Sequence, residues 1–268
     1  MVGQSKLKNQ IKSLSKYPHF SILSGPRGSG KKEMASWIAS ECLNCPVVFL
    51  DCKIDSIRKL IDTSFVNSSK IVYAICDGDS MSNAAKNSLL KISEETPKNI
   101  YLILLLRDLM NTLATIKSRA ITFSLDLYTK EDLLQYCNLN TLTIPQEILI
   151  ACDNINDLLI YNKDPSIWNY TDKVIRNIEK VSLANSFKIG NSLSLKKESE
   201  GYDLELFWKF LCYKCYMLLS FDSSKYGSGI RITSNYLSKL VNPNFNRVYL
   251  FDMWILDMRK SWEIYNEN

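Results

Sequence analysis

Residues 20–41 read FSILSGPRGSGKKEMASWIASE: a short apolar run, a glycine-rich turn, then apolar residues at helical spacing. Within it Gly25, Gly30 and Lys31 complete a G-x-x-x-x-G-K pattern, with Gly28 and Ser29 inside the turn. Between a strand and a helix this pattern makes a phosphate-binding loop. Glycines let successive backbone amides curl round an anion, and the lysine neutralises it at the helix N-terminus. Gly25, Gly28, Ser29, Gly30, Lys31 and Lys32 are therefore the candidate nucleotide-binding residues, with a glycine-rich turn that holds no ligand as the plainer alternative.

If FSILS (20–24) is the strand that enters such a loop, others should follow, and PVVFLD (46–51), KIVYAIC (70–76), NIYLILLL (99–106) and AITFSL (120–125) fill that part. Most are near-continuous apolar runs, the pattern of strands buried on both faces. Helical spacing occupies the intervals 31–41, 54–66 and 83–95, the last with Leu89, Leu90 and Ile92 on one face. Strand alternating with helix predicts an α/β fold with a parallel sheet and right-handed crossovers. After Leu125 helical patterns take over. Thr129 with Asp132 three residues on predicts a helix start, and Pro145 opens a further short helix. From about Ser166 the pattern stays helical, with the polar stretches SLSLKKESEGYD (192–203) and DSSKYGSG (222–229) read as loops. The expected organisation is an α/β domain over 1–126, a small helical domain over 127–165 and an all-α domain over 166–268.

Hydrolysis of a nucleotide needs more than a cradle. The residue after the loop lysine normally offers a hydroxyl to Mg²⁺, and the third strand normally ends in an acid on the metal side followed by one that positions water. Here the first is Lys32, and the strand ends Ile75-Cys76-Asp77-Gly78-Asp79, with Cys76 on the metal side. A second cation competes with Mg²⁺, and a neutral thiol is a poor ligand for a hard ion. The expectation is a crippled site with no metal ligands. Asp77 remains as an acid in the adjacent position, and Asp79 reaches the metal only if the register shifts.

At 268 residues, 46% hydrophobic and 23% charged, the chain is long enough to bury a substantial core. A net charge of +5 is compatible with nucleic acid and does not by itself establish it. The longest apolar run, Ile100 to Leu106, is too short to cross a bilayer, and the first residues lack a signal peptide's apolar stretch. A cytoplasmic protein with no membrane association is expected. Eight cysteines include two CxxC pairs, CLNC (42–45) and CYKC (212–215). A four-thiolate zinc site and small buried side chains on one helix face are the two readings of that spacing. Abundant Lys, Asn, Ile and Ser match an AT-rich genome, that of a low-GC bacterium or its phage.

The run DGDSMSNAAKNSLLKISEETPKNIYLILLL (77–106), followed by LATIKSRA (113–120), resembles the DNA polymerase clamp-loader ATPase family of AAA+ proteins. GQSKLKNQI (3–11) and YPHFSILSGP (17–26) resemble that family's N-terminal helix and its histidine-containing entry to the first strand, so the likeness spans roughly residues 2 to 125. It implies an AAA+ domain, a helical lid and an all-α collar that assembles a hetero-pentamer of loader ATPase subunits and a delta-like subunit round a sliding clamp on primed DNA. Ser118 and Arg119 match the Ser-Arg of the family's Ser-Arg-Cys motif, with Ala120 in place of Cys. In the family that arginine reaches the neighbouring subunit's nucleotide, so Arg119 is the candidate arginine finger, beside the alternative of an ordinary surface arginine.

The departures from the family pattern are most similar to its nonhydrolysing, delta-prime-type subunits. They comprise Lys32, Cys76, Arg107 and Asp108 after strand four, and the absence of Lys or Arg from Glu131 to Asn162. The resemblance implies that no cofactor is required, while ATP or ADP can be held without productive Mg²⁺. It also gives His19 a packing role near the loop. Trp208, Trp254 and Trp262 are expected in a core or subunit interface rather than stacking on bases. LANSFKIGNSLSLKK (183–197) resembles the collar loosely.

Overall fold

A computed structural model describes residues 2–64, 69–178, 203–240 and 247–266, and divides into two compact units, Met1–Leu139 and Asn140–Asn268. The first unit runs α1 (Ser5–Lys12), β1 (Phe20–Ser24), α2 (Lys31–Trp37), β2 (Val47–Leu50), α3 (Ile54–Ser64) and β3 (Ile71–Ile75). It continues with α4 (Asn83–Glu94), β4 (Ile100–Leu106), α5 (Ala114–Lys117), β5 (Ile121–Ser124) and α6 (Lys130–Leu139). The strands form one 5-stranded parallel sheet in the order β2-β3-β4-β1-β5. All the expected strands are present, β1 with the expected bounds and the other four slightly shorter than the runs read for them.

Alternation along β4 sorts the core. Tyr101, Ile103 and Leu105 meet Leu7, Ile11, Met34, Ile38 and Phe123 on the face covered by α1 and α2. Ile100, Leu102, Leu104 and Leu106 meet Ile57, Leu60, Ala85, Leu89, Ile92 and Ile116 on the face covered by α3, α4 and α5. Both faces of β1, β3 and β4 are therefore apolar, as expected for a sheet sandwiched between helices. The expectation of double burial fails at the sheet's edges. Val48 and Phe49 of β2 and Ile121 of β5 are exposed, because an edge strand has one neighbour and less helix above it.

Two further expectations are corrected. The helix after the loop keeps α geometry only to Trp37 and widens into a π turn over Ile38–Cys42. His19 stands at the opposite end of β1 from the loop, roughly 20 Å from Gly25 at the strand rise per residue. Its Nδ1 lies 2.9 Å from the Ile100 carbonyl oxygen and its ring stacks on Tyr101, so it packs, but not near the loop. The cap at Thr129 forms as read: Asp132 N–H donates to Thr129 Oγ1 at 3.1 Å and Thr129 N–H donates to Asp132 Oδ2 at 3.0 Å.

The described elements of the second unit are all helices: α7 (Gln146–Ala151), α8 (Ile155–Lys163), α9 (Ser166–Asn177), α10 (Leu204–Leu218), α11 (Ser223–Leu240) and α12 (Arg247–Asn266). Trp208, Trp254 and Trp262 all lie in its core, with Trp208 and Trp254 edge to face at 5.2 Å. DSSKYGSG is not a loop but the first turns of α11. Asp222 accepts from Lys225 N–H at 2.9 Å, and the weak helix formers Gly227 and Gly229 are tolerated because α11 packs between α10 and α12. At Gly229 a methyl group would stand 3.2 Å from Met258 Cε and 3.3 Å from Cys215 Sγ, so a small residue is required there. SLSLKKESEGYD, apart from Asp203, and LANSFKIGNSLSLKK lie outside the described residues. No helix among the described residues is long and apolar enough to cross a membrane.

Candidate functional site

The loop from Gly25 to Gly30 leaves β1 at the carboxyl end of the sheet. Its base is pinned on both sides: Gly25 N–H donates to Leu106 O of β4 at 3.1 Å, and Leu125 N–H donates to Ser24 O at 2.7 Å. A Cβ at Gly25 would meet Leu125 O at 2.6 Å and Ser29 Oγ at 2.9 Å, which excludes any other residue. Gly28 and Gly30 have φ of 80° and 84°, the left-handed conformation that turns the chain into α2. Ser29 is fully buried and its Oγ has no hydrogen-bond partner among the described residues. Lys31 folds back over the loop, donating from Nζ to Gly25 O at 2.6 Å and Pro26 O at 2.7 Å. Burial, then the neighbouring Arg107 guanidinium, hold the Lys31 pKa below its ordinary value, and Asp79, Asp77 and Glu33 oppose them.

These residues fit a polyphosphate. Lys31 and Lys32 open α2, where backbone amides have no intrahelical acceptor and can donate to an anion. The cradle glycines leave room for close approach, and Lys31 can exchange its carbonyl partners for phosphate oxygens. Such a nucleotide would supply a γ-phosphate.

The same residues do not fit Mg²⁺. Lys32 is exposed at the position where a hydroxyl is needed. Cys76 is buried at the end of β3, and burial pushes its thiol pKa up, so it stays neutral although Lys32 pulls the other way. Asp77 is exposed in the left-handed region, with φ 50° and ψ 40°.

Asp79, the acid that would reach a metal only with a shifted register, has a structural role here. Its Oδ2 accepts from Arg107 N–H at 2.7 Å and its Oδ1 from Asp108 N–H at 3.1 Å, so both oxygens clamp the β3 turn to the end of β4. Among the described residues no group of three or more His, Cys, Asp or Glu is placed to hold a metal ion. The two CxxC pairs lie in different units. In CYKC, Cys215 is fully buried, and burial alone raises the Cys212 pKa to about 12 and leads the rise at Cys215 to about 12.

Ser118 and Arg119 follow α5. Ser118 Oγ donates to Thr115 O at 3.0 Å, closing the helix end. Arg119 donates from Nη1 to the same carbonyl at 2.9 Å and from Nη2 to Glu94 Oε1 at 2.6 Å, and both side chains of the pair are partly exposed. Glu94 ends α4 and belongs to the EE of the LLKISEETP segment, so two motifs read separately in the sequence meet here. Sequence reasoning also missed Gln4, whose Nε2 donates to Asp126 O at 2.6 Å and to Ser29 O at 3.4 Å, tying the N-terminal helix to the loop. The GQSK match was its one signal.

Residues 50–128 match the family model described as "DNA polymerase III, delta subunit". The chain is 30% identical over 170 residues to the DNA polymerase III subunit gamma of Buchnera aphidicola subsp. Schizaphis graminum, covering 51% of this chain and 47% of that protein. The similarity is to the delta/gamma-type clamp-loader family of DNA polymerase III. The segment matched by the family model includes Asp77, Ser118 and Arg119 and excludes Gly25 to Lys32. The gamma subunit of Buchnera aphidicola subsp. Acyrthosiphon pisum is 25% identical over 169 residues, again 51% of this chain and 47% of the relative. The chain thus spans about half the length of these DNA polymerase III gamma subunits. A DNA polymerase III gamma subunit-related protein from Thermotoga maritima has a similar fold, at TM-score 0.57 and 16% identity, covering 96% of this chain and 99% of that one. That likeness is one of fold: a five-stranded parallel sheet with its helices, followed by a helical C-terminal part.

Proposed function

We propose that this chain is a noncatalytic, delta-prime-like subunit of a DNA polymerase sliding-clamp loader. It joins loader ATPase subunits and a delta-like subunit in a hetero-pentamer that places the clamp on primed DNA during replication. The observation that carries the noncatalytic reading is the metal side of the loop. Lys32 supplies charge where a hydroxyl is needed, Cys76 supplies a neutral thiol, and both oxygens of Asp79 are bound to backbone amides. The loop then holds ATP or ADP without productive Mg²⁺ and contributes rigidity, since a ligand that binds only the folded state stabilises it.

Arg119 is the group this subunit lends. It is exposed, always charged, and presents a planar fork suited to a γ-phosphate in a neighbouring subunit's site. The test compares variants in ATP turnover by a gamma-type loader ATPase from the same cells. Arg119→Ala lowers the partner's turnover by roughly 10³-fold or more, the worth of such an arginine, while Lys31→Ala changes it little. The reverse ranking rejects the assignment.

A second reading, an active AAA+ ATPase such as a loader motor subunit or a helicase loader, draws on the intact half of the loop from Gly25 to Lys31. Magnesium-dependent turnover by the purified chain that disappears in Lys31→Ala would establish that reading instead.

A further inference from the structure

We infer that Glu94 is a positioning residue for Arg119, holding the guanidinium ready for a partner's phosphate rather than sequestering it. The inference rests on the trans-acting role proposed above. Glu94 is the last residue of α4, and a carboxylate at a helix C-terminus faces the negative end of the dipole. Locally it is misplaced, and Lys91 is the basic residue of that last turn. The charge is compensated from outside the helix, by Arg119 Nη2 at 2.6 Å.

The contact is built to hold without occupying the whole fork. A guanidinium has five N–H donors, and Arg119 uses one on Nη1 for Thr115 O and one on Nη2 for Glu94 Oε1, which leaves three. The remaining donors include Nε–H, which has no acceptor among the described residues. A phosphate can therefore be bound while Glu94 keeps its bond. An arginine side chain otherwise loses rotamer freedom when a ligand fixes it. The Thr115 carbonyl fixes one edge of the fork, and Glu94 fixes the other from a different helix. The pair is exposed, so its net contribution to folding is small and its effect falls on the orientation of Arg119.

The test uses the full chain with Glu94→Ala, Glu94→Gln and Arg119→Ala. Side-chain ¹⁵N relaxation at Arg119 Nε should report an ordered guanidinium in the natural protein and a mobile one in Glu94→Ala, with an unchanged thermal midpoint. In ATP turnover by a gamma-type loader ATPase from the same cells, Glu94→Ala should lower kcat about fivefold to tenfold, part of the cost of fixing a free side chain. The concentration of this chain giving half-maximal stimulation should stay the same. Glu94→Gln, which keeps the acceptor oxygen without its charge, should recover to within about twofold of the natural chain. Equal Arg119 order in the natural chain and Glu94→Ala, or a kcat unaffected by Glu94→Ala while Arg119→Ala abolishes stimulation, overturns the positioning role alone. No effect of Arg119→Ala on the partner overturns the parent reading and the positioning role with it. Turnover that rises in Glu94→Ala would mean that the contact sequesters Arg119.

Discussion

Gly78, in the turn after β3, lies directly against side chains of β4. A Cβ there would lie 2.6 Å from Leu104 Cδ1 and 2.7 Å from Leu106 Cδ2, side chains that are themselves almost fully buried. Neither leucine has space to retreat, so Gly78→Ala should destabilise the chain by about 1–3 kcal/mol, the usual cost of overpacking, as read by urea denaturation. The flanking Asp79 adds a second constraint, because both of its oxygens accept amide protons from the end of β4.

Single residues also set a pH dependence. The Cys212 and Cys215 thiols are held neutral up to about 12 by burial, whereas in the unfolded chain they ionise at the ordinary thiol value of 9.0. Their folded pKa is raised, so the stability they contribute is complete below 9.0 and is lost as pH climbs from there towards about 12. Unfolding free energy should therefore fall across that window, and a Cys212→Ala/Cys215→Ala variant should show a shallower fall.

At the scale of elements, α11 shows how packing overrides propensity. A Cβ at Gly227 would meet only Leu219 Cδ2, at an ordinary van der Waals distance of 3.9 Å, so Gly227→Ala should gain most of the helix-propensity difference, about 0.5–1 kcal/mol. Gly229→Val should lose stability instead, since Met258 and Cys215 already stand within 3.3 Å of a single methyl.

The link between α8 and α10 is ionic. Lys209 Nζ lies 2.8 Å from Asp157 Oδ2, 3.4 Å from Asp153 and 3.5 Å from Glu205. Burial works against the charge on Lys209, but the three carboxylates more than offset it and hold its pKa above the ordinary value. Asp157 is 4% exposed, so Lys209→Met would strand a buried carboxylate and should cost about 3–5 kcal/mol in thermal or urea unfolding. Adding Asp157→Leu in the same chain should recover much of that loss.

For the whole molecule, the first unit contains a complete sheet with a hydrophobic cluster on each face, all drawn from its own residues. A fragment of residues 1–139 should therefore fold by itself, with a cooperative urea transition and far-UV circular dichroism of a mixed α/β protein. That fragment keeps Gly25 to Lys32, Asp77, Glu94 and Arg119. It provides the simplest setting for asking whether ATP binding survives removal of divalent ions with EDTA, and under the proposed function binding should persist.

The order of elements in the first unit was legible from residues alone, because strands buried on both faces must be apolar at successive positions, as IYLILLL is. The loop was legible too, since only glycine fits beside Leu125 O and only glycine readily takes the φ of 84° that starts α2. The metal-side departures at Lys32 and Cys76 needed nothing but their spacing. Long-range placement was not legible, because pairing depends on which strand ends and helix ends the sheet order brings together. DSSKYGSG became helix through contacts with α10 and α12, Asp79 found the backbone amides that follow β4, and Glu94 met Arg119 across 25 residues of sequence. Local composition determines which segments are strand, loop or helix core. Only the assembled fold decides which polar groups find each other, because each such contact joins residues whose separation in the chain carries no periodic signal.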